Sequence, residues 1–285
     1  MNQERLPLPE AYHGGINFAE LAALGIDPDK VIDFSSNILP EGPSPSVHEA
    51  LQKARIDRYP DRESAAIVGV ISRVYGLDTS RVMIGNGCSE LIHLVASAFL
   101  NRNAQVLVLG PTFSEYERVC KLQGCQVTEL RSDPSERFLV SPSSVLQALE
   151  ENKPELVWLC NPNNPTGRSI QPDHLLHWLD SFPLTLFVID ESYIEFTESL
   201  STVIYADRPN LIVLRSLTKL HAIAGLRLGF AVAAKELINK MRMHRIAWSV
   251  NAMAQVAGAA ALQDTDYYQT ALLRLQAEKK RLVAS

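Results

Sequence analysis

Residues 215–230, RSLTKLHAIAGLRLGF, set one lysine between small hydroxyl residues just past an apolar run, with Arg227 downstream. A lysine amine attacks carbonyl carbons when partial desolvation and neighbouring cations favour its neutral form. Taken alone, Lys219 reads as a solvated surface charge. Four other segments change that reading. In GNGCSELIHL, Gly85 and Gly87 allow a tight bend before a helix that opens at Ser89-Glu90. The free N–H groups at that helix start form an anion site, and Ser216, Thr218 and Arg227 could complete a phosphate cradle. GPTFSEY supplies an aromatic ring, Phe113, and NPNNPTG an amide, Asn164. Asp190 closes the apolar run LFVID and begins DESYIEF. A carboxylate in that position needs a cation or hydrogen-bond donors to stay charged.

These residues share a position relative to the elements that carry them. Short apolar runs at 106–109, 126–130, 156–160, 186–190, 211–215 and 228–233 predict strands. Helical spacing at 89–100, 114–123, 142–151 and 172–181 separates most of them. The alternation predicts an α/β fold, a mostly parallel sheet sandwiched by helices. Only the last run follows its predecessor too closely for a helical crossover, so it is expected to be antiparallel. Beyond 234 the spacing predicts helices over 235–246, 251–263 and 266–284, while the Pro- and Gly-rich first 45 residues read as an extended arm. In parallel sheets ligands bind outside the carboxyl ends of the strands. Phe113, Asn164, Asp190 and Lys219 all follow or close such ends.

The 285 residues carry a net charge of −5. No basic stripe points to nucleic acid, and a mildly acidic surface gives no reason to expect an anionic membrane. The N-terminal stretch lacks the apolar core of a signal peptide, and no apolar run is long enough to span a bilayer. Four cysteines without a CxxC pair read as reduced thiols of a cytoplasmic protein. His174 and His177 read as a solvated helix face, and no metal site is expected.

CNPNNPTG, VIDESYIEF and SLTKLHAIAGLRLGF resemble the motifs of fold type I pyridoxal-phosphate enzymes, the aspartate aminotransferase superfamily. Within it the chain resembles the branch of histidinol-phosphate aminotransferases and threonine-phosphate decarboxylases. HGG (13–15), DFSSNILPEG (33–42), RYPD (58–61), GNG (85–87), LRSLTK (214–219) and WSVNA (248–252) draw it toward the decarboxylases. The resemblance implies that Lys219 carries pyridoxal 5'-phosphate covalently and shuttles protons. It implies that Asp190 pairs with the ring nitrogen, that Asn164 and Tyr193 bond the ring oxygen, and that Phe113 stacks on the ring. Gly87, Cys88, Ser89, Ser216, Thr218 and Arg227 would hold the cofactor phosphate. Tyr59 would reach the phosphate of the neighbouring subunit's cofactor in a homodimer. His13, Gly14 and Asn37 would meet a small phosphorylated amino-acid substrate. Without the resemblance, Phe113, Tyr193 and Trp248 read as packing aromatics, and His13 as an ordinary arm residue.

The same resemblance divides the chain into an arm (1–45), a cofactor-binding large domain (46–265) and a helix start (266–285). In the resembled enzymes that helix leads into a C-terminal small domain bearing an arginine for the substrate carboxylate. The expectation is therefore a chain without that domain, able to bind the cofactor and impaired in turnover. Which bond at the substrate α-carbon breaks depends on how that carboxylate is held. Three readings follow: decarboxylation of O-phospho-L-threonine in cobalamin biosynthesis, transamination of the histidinol-phosphate type, or a non-catalytic cofactor-binding remnant.

Overall fold

The structure, a computed structural model, describes residues 14–284. Its strands are β1 (Val82–Gly85), β2 (Gln105–Gly110), β3 (Gln126–Arg131), β4 (Leu156–Cys160), β5 (Leu186–Asp190), β6 (Leu211–Ser216) and β7 (Gly229–Ala233). Its helices are α1 (Phe18–Leu24), α2 (Pro45–Gln52), α3 (Ala65–Tyr75), α4 (Gly87–Phe99), α5 (Glu115–Gln123), α6 (Pro142–Asn152), α7 (Pro172–Ser181), α8 (Lys235–Arg242), α9 (Ala252–Ala261) and α10 (Thr265–Ala284). Among the described residues the strands form one seven-stranded sheet in the order β1-β7-β6-β5-β4-β2-β3. β3, β2, β4, β5 and β6 run parallel. β7 is antiparallel to both of its neighbours, as the short β6–β7 link requires.

Side-chain alternation gives the sheet two apolar faces. Leu107, Val157, Phe187, Ile189 and Val213 face one core, shared with α3, α6, α7 and α9. Val108, Trp158, Val188, Ile212 and Leu214 face the other, shared with α4, α5 and α8. Both faces of the central strands are covered, which is why β4, β5 and β6 are unbroken apolar runs buried along their whole length. Fully burying each such side chain contributes about 1.5–3 kcal/mol. β3, at the sheet edge, is mostly exposed and carries a Glu129–Arg131 ion pair, a charge pattern that discourages further strand addition.

Two expectations change. The first 45 residues are not wholly extended: Asn17 caps α1 by accepting from the Glu20 amide, and Gly25 ends it at φ +68°. Those are ordinary helix start and stop signals. α8 stops at Arg242, four residues short of the expected 246. β1 and α3, which the hydrophobic pattern did not single out, complete the sheet and one of its covering layers.

Candidate active site

β5 delivers Asp190 to its carboxyl end on the α5 side of the sheet. The side chain is buried, and both oxygens are held. Oδ1 accepts from the Ser192 amide at 2.9 Å and the Ser192 hydroxyl at 2.6 Å, and Oδ2 accepts from the Tyr116 hydroxyl at 2.8 Å. Burial pushes the Asp190 carboxyl up, while these donors and the Lys219 charge pull it back. Tyr116 is itself pushed well above the usual phenol range by burial, so it stays neutral and donates. Its ring stacks on Trp158 at 5.0 Å and meets Phe113 edge-on at 5.6 Å. The pair Tyr116–Ser192 was not identified from the sequence. Ser192 had a local signal, since a side chain two residues after an aspartate closes a short turn onto it.

Lys219 follows the end of β6. Its carbonyl accepts from the Leu39 amide at 3.1 Å, which ties the arm to the lysine backbone. Its Nζ lies 5.6 Å from the centroid of the Tyr193 ring. Burial lowers the Lys219 pKa and the Arg227 charge lowers it further, the direction a nucleophilic amine needs. Asn164 donates from Nδ2 to the Tyr193 hydroxyl at 3.4 Å, and the Asn37 side chain bonds the same phenol. Burial raises the Tyr193 pKa.

Beside the lysine lies a wall of donors. Ser216 and Thr218 hydroxyls are 2.7 Å apart, and the Thr218 amide donates to Ser216 Oγ at 3.2 Å. α4 opens at Gly87, whose φ is +75°, and its first-turn N–H groups have no intrahelical acceptor. A Cβ built on Gly87 would stand 2.9 Å from Arg227 Nη2, and one on Gly229 would stand 2.9 Å from the Cys88 nitrogen. Two glycines therefore let the guanidinium, the helix start and the β7 backbone crowd together. The Cys88 thiol donates to the Arg215 carbonyl at 3.3 Å and accepts from the Ser192 hydroxyl at 3.5 Å, and burial pushes its pKa up, so it stays neutral.

One cavity of about 630 Å³ gathers Cys88, Ser89, Phe113, Asn164, Asp190, Tyr193, Ser216, Thr218, Lys219 and Arg227, together with Gly14 and Asn37 from the arm. Ser35 and Ser36 join them, and a Cβ on Gly14 would collide with the Ser35 carbonyl oxygen at 1.9 Å. Tyr59 is outside this cavity. The residue is 76% exposed, and its ring stacks on Trp248 at 4.7 Å. His13 lies outside the described residues. Asn163, also missed in the sequence, joins two of the loops: it accepts from Thr112 Oγ1 at 2.7 Å and donates to the Pro111 carbonyl at 2.9 Å.

The donor set fits a phosphorylated pyridine aldehyde. A desolvated amine suits the aldehyde, a buried carboxylate the ring nitrogen, and the crowded Gly87–Arg227 corner a phosphate. Fold and site define a pyridoxal-phosphate-dependent enzyme of fold type I. The family model Aminotransferase class I and II matches residues 29–285, and the chain belongs to that family. Threonine-phosphate decarboxylase of Salmonella typhimurium is 37% identical over 278 residues, covering 94% of this chain and 75% of that protein. Histidinol-phosphate aminotransferase of Moorella thermoacetica is 35% identical over 243 residues, covering 82% of this chain and 62% of its own. The crystal structure of histidinol-phosphate aminotransferase from Clostridium acetobutylicum matches with a TM-score of 0.80 at 29% identity, over 89% of this chain and 76% of that one.

Proposed function

We propose that this site decarboxylates O-phospho-L-threonine to (R)-1-aminopropan-2-yl phosphate and carbon dioxide, a step of cobalamin biosynthesis. The observation that carries this reading is the 37% identity to a threonine-phosphate decarboxylase across 94% of the chain. The arm supports it: Gly14, Ser35, Ser36 and Asn37 add polar groups to the cavity, where a second phosphate needs them.

When bound, pyridoxal phosphate supplies an electron sink for the pair left on the substrate α-carbon. In this reading Lys219 holds the cofactor and returns a proton to that carbon once carbon dioxide has left. Asp190 keeps the ring nitrogen protonated, Asn164 and Tyr193 bond the ring oxygen, and Phe113 stacks on the ring. The amides of Gly87, Cys88 and Ser89, with Ser216, Thr218 and Arg227, hold the cofactor phosphate. His13, Gly14 and Asn37 orient the substrate. Tyr59, exposed in a single chain, reaches the cofactor phosphate of a second subunit, so the working unit is a cytoplasmic homodimer. The domain reading is an arm over 1–45, a cofactor-binding body over 46–265, and a linking helix from 266.

A second reading, an aminotransferase of the histidinol-phosphate type, is favoured by the 35% identity to such an enzyme over 82% of the chain. Cofactor-loaded protein given O-phospho-L-threonine should release carbon dioxide and the aminopropanol phosphate. Amino transfer from histidinol phosphate to a 2-oxo acid, without carbon dioxide release, would replace the first reading with the second. Cofactor binding with neither product would leave a non-catalytic binding protein.

A further inference from the structure

Arg215 and Glu191 adjoin the two residues that flank the cofactor cavity, yet both lie outside the cavity lining. The strand period explains this. Asp190 and Ser216 share the α4–α5 side of the sheet, so Glu191 and Arg215, one residue away, turn to the α3 side. There they meet, with side chains 0% and 4% exposed. Arg215 Nη1 donates to Glu191 Oε2 at 3.3 Å and to the Ser201 hydroxyl at 3.1 Å. Its Nη2 donates to Glu195 Oε1 and, at 3.1 Å, to the Tyr75 hydroxyl. Glu191 in turn accepts from the Thr202 amide and hydroxyl, both at 2.6 Å, and from the Ser201 hydroxyl at 2.5 Å. His221 lies against the same group and stays neutral, because burial pushes it down to about 4.

We infer that the Arg215–Glu191–Glu195 cluster is a positioning clasp that fixes the ends of β5 and β6 so that Asp190 and Lys219 face one cofactor at a set spacing. The clasp crosses the two strands where the regular ladder gives out: Asp190 registers with Leu214, and the Glu191 amide donates to the Leu214 carbonyl at 2.8 Å. Past that point β5 has ended while β6 stays paired with β7 through Ser216, and the guanidinium fork spans from β6 to the segment that follows β5. A buried ion pair contributes little net stability, and it fixes geometry through the bonds it makes: both Glu191 oxygens are filled, whereas the buried Glu195 Oε2 and Arg215 Nε have no partner. Misplacing a reacting group by about 1 Å costs on the order of 10²-fold, so a clasp one residue behind both groups has leverage.

The inference rests on the cofactor site and is independent of which substrate bond breaks. Its test is the dissociation constant of pyridoxal phosphate and the visible circular-dichroism band of the bound cofactor. Arg215→Lys keeps the charge and loses the fork. It is expected to weaken cofactor binding about tenfold or more and to change the band. Val145→Ala, a buried substitution in α6, serves as the stability control and should lower Tm while leaving both readouts unchanged. If Arg215→Lys lowers Tm and leaves affinity and band like those of Val145→Ala, the cluster is only structural and the inference falls. If Arg215→Lys does not fold, Glu195→Gln, whose side chain is 17% exposed, decides by the same two readouts. Failure of the unaltered protein to bind pyridoxal phosphate would overturn the cofactor reading instead.

Discussion

The Tyr116 hydroxyl and the Ser192 hydroxyl grip opposite oxygens of Asp190, at 2.8 Å and 2.6 Å. A carboxylate so deeply buried resists ionisation, and neutral donors on both oxygens partly offset that cost. Tyr116→Phe removes one donor while keeping the stack on Trp158. A hydrogen bond to a charged group is worth about 1.5–3 kcal/mol, so cofactor affinity should fall roughly tenfold or more by fluorescence titration. Asp190→Asn removes the charge itself, and in a turnover assay it should lose at least about 10²-fold. Equal affinity in Tyr116→Phe and the unaltered protein would show that the phenol is merely packed there.

Lys219 should carry the cofactor label. After borohydride reduction, the stable adduct belongs on the peptide containing Lys219, and label on another lysine would overturn the assignment. Stability offers a second check that needs no cofactor. The folded pKa of Lys219 lies below its ordinary 10.5, mainly because of burial. Its charging therefore costs stability at neutral pH, and the cost disappears as pH rises past the unfolded value. Lys219→Met should raise the Tm of the cofactor-free protein most at pH 7, with a smaller gain near pH 10.5. A gain independent of pH would mean that the amine is not desolvated.

Gly87 is fixed twice, by φ +75° and by Arg227 Nη2 only 2.9 Å from where a Cβ would stand. Gly87→Ala places a side chain in the left-handed region, at about 1–2 kcal/mol, and pushes the guanidinium away. Cofactor affinity should drop about tenfold or more, beyond what that strain does to Tm. Cys88→Ala, by contrast, keeps the backbone N–H and should bind the cofactor as well as the unaltered protein. Loss of binding in Cys88→Ala would move the thiol into the site.

The legible part of this molecule is the part written in contiguous residues. β4 and β5 stand at the predicted 156–160 and 186–190, because a strand buried on both faces is an uninterrupted apolar run. Phe113, Asn164, Asp190 and Lys219 were legible because each follows or closes a predicted strand end. β1 was not, since three apolar residues, Val82, Met83 and Ile84, just before a glycine-rich bend read as the bend's approach. α3 was not singled out although Ser64 precedes its apolar run; Ser64 is left-handed and makes no side-chain cap, and the Ala65 amide donates instead to Asp61 Oδ2 at 2.6 Å. Partnerships formed across segments stayed hidden: Tyr116 is 74 residues from Asp190, and Arg215 is 24 from Glu191. The period-2 rule could have placed Arg215 and Glu191 on one face, but not in contact.

The reaction proposed for this site makes a demand on its substrate. Gly14, Ser35, Ser36 and Asn37 bring amides, hydroxyls and a carboxamide to the cavity that Lys219 and Arg227 also line. Gly14 cannot gain a side chain, since a Cβ would strike the Ser35 carbonyl oxygen at 1.9 Å, and the Gly15 amide already donates to Ser35 Oγ at 2.7 Å. The Ser35 and Ser36 hydroxyls donate to Asp33 at 2.5 and 2.6 Å and would turn from it to a substrate phosphate; a site built to bond a missing group rejects the analogue by about 10⁴–10⁵. Competing O-phospho-L-threonine against L-threonine should therefore show a preference of several orders of magnitude in kcat/KM. Asn37→Ala should narrow that preference, mostly by raising KM for the phosphorylated substrate. Comparable rates on both amino acids would remove the arm from substrate selection and leave it as a tether, through Leu39, on the Lys219 backbone.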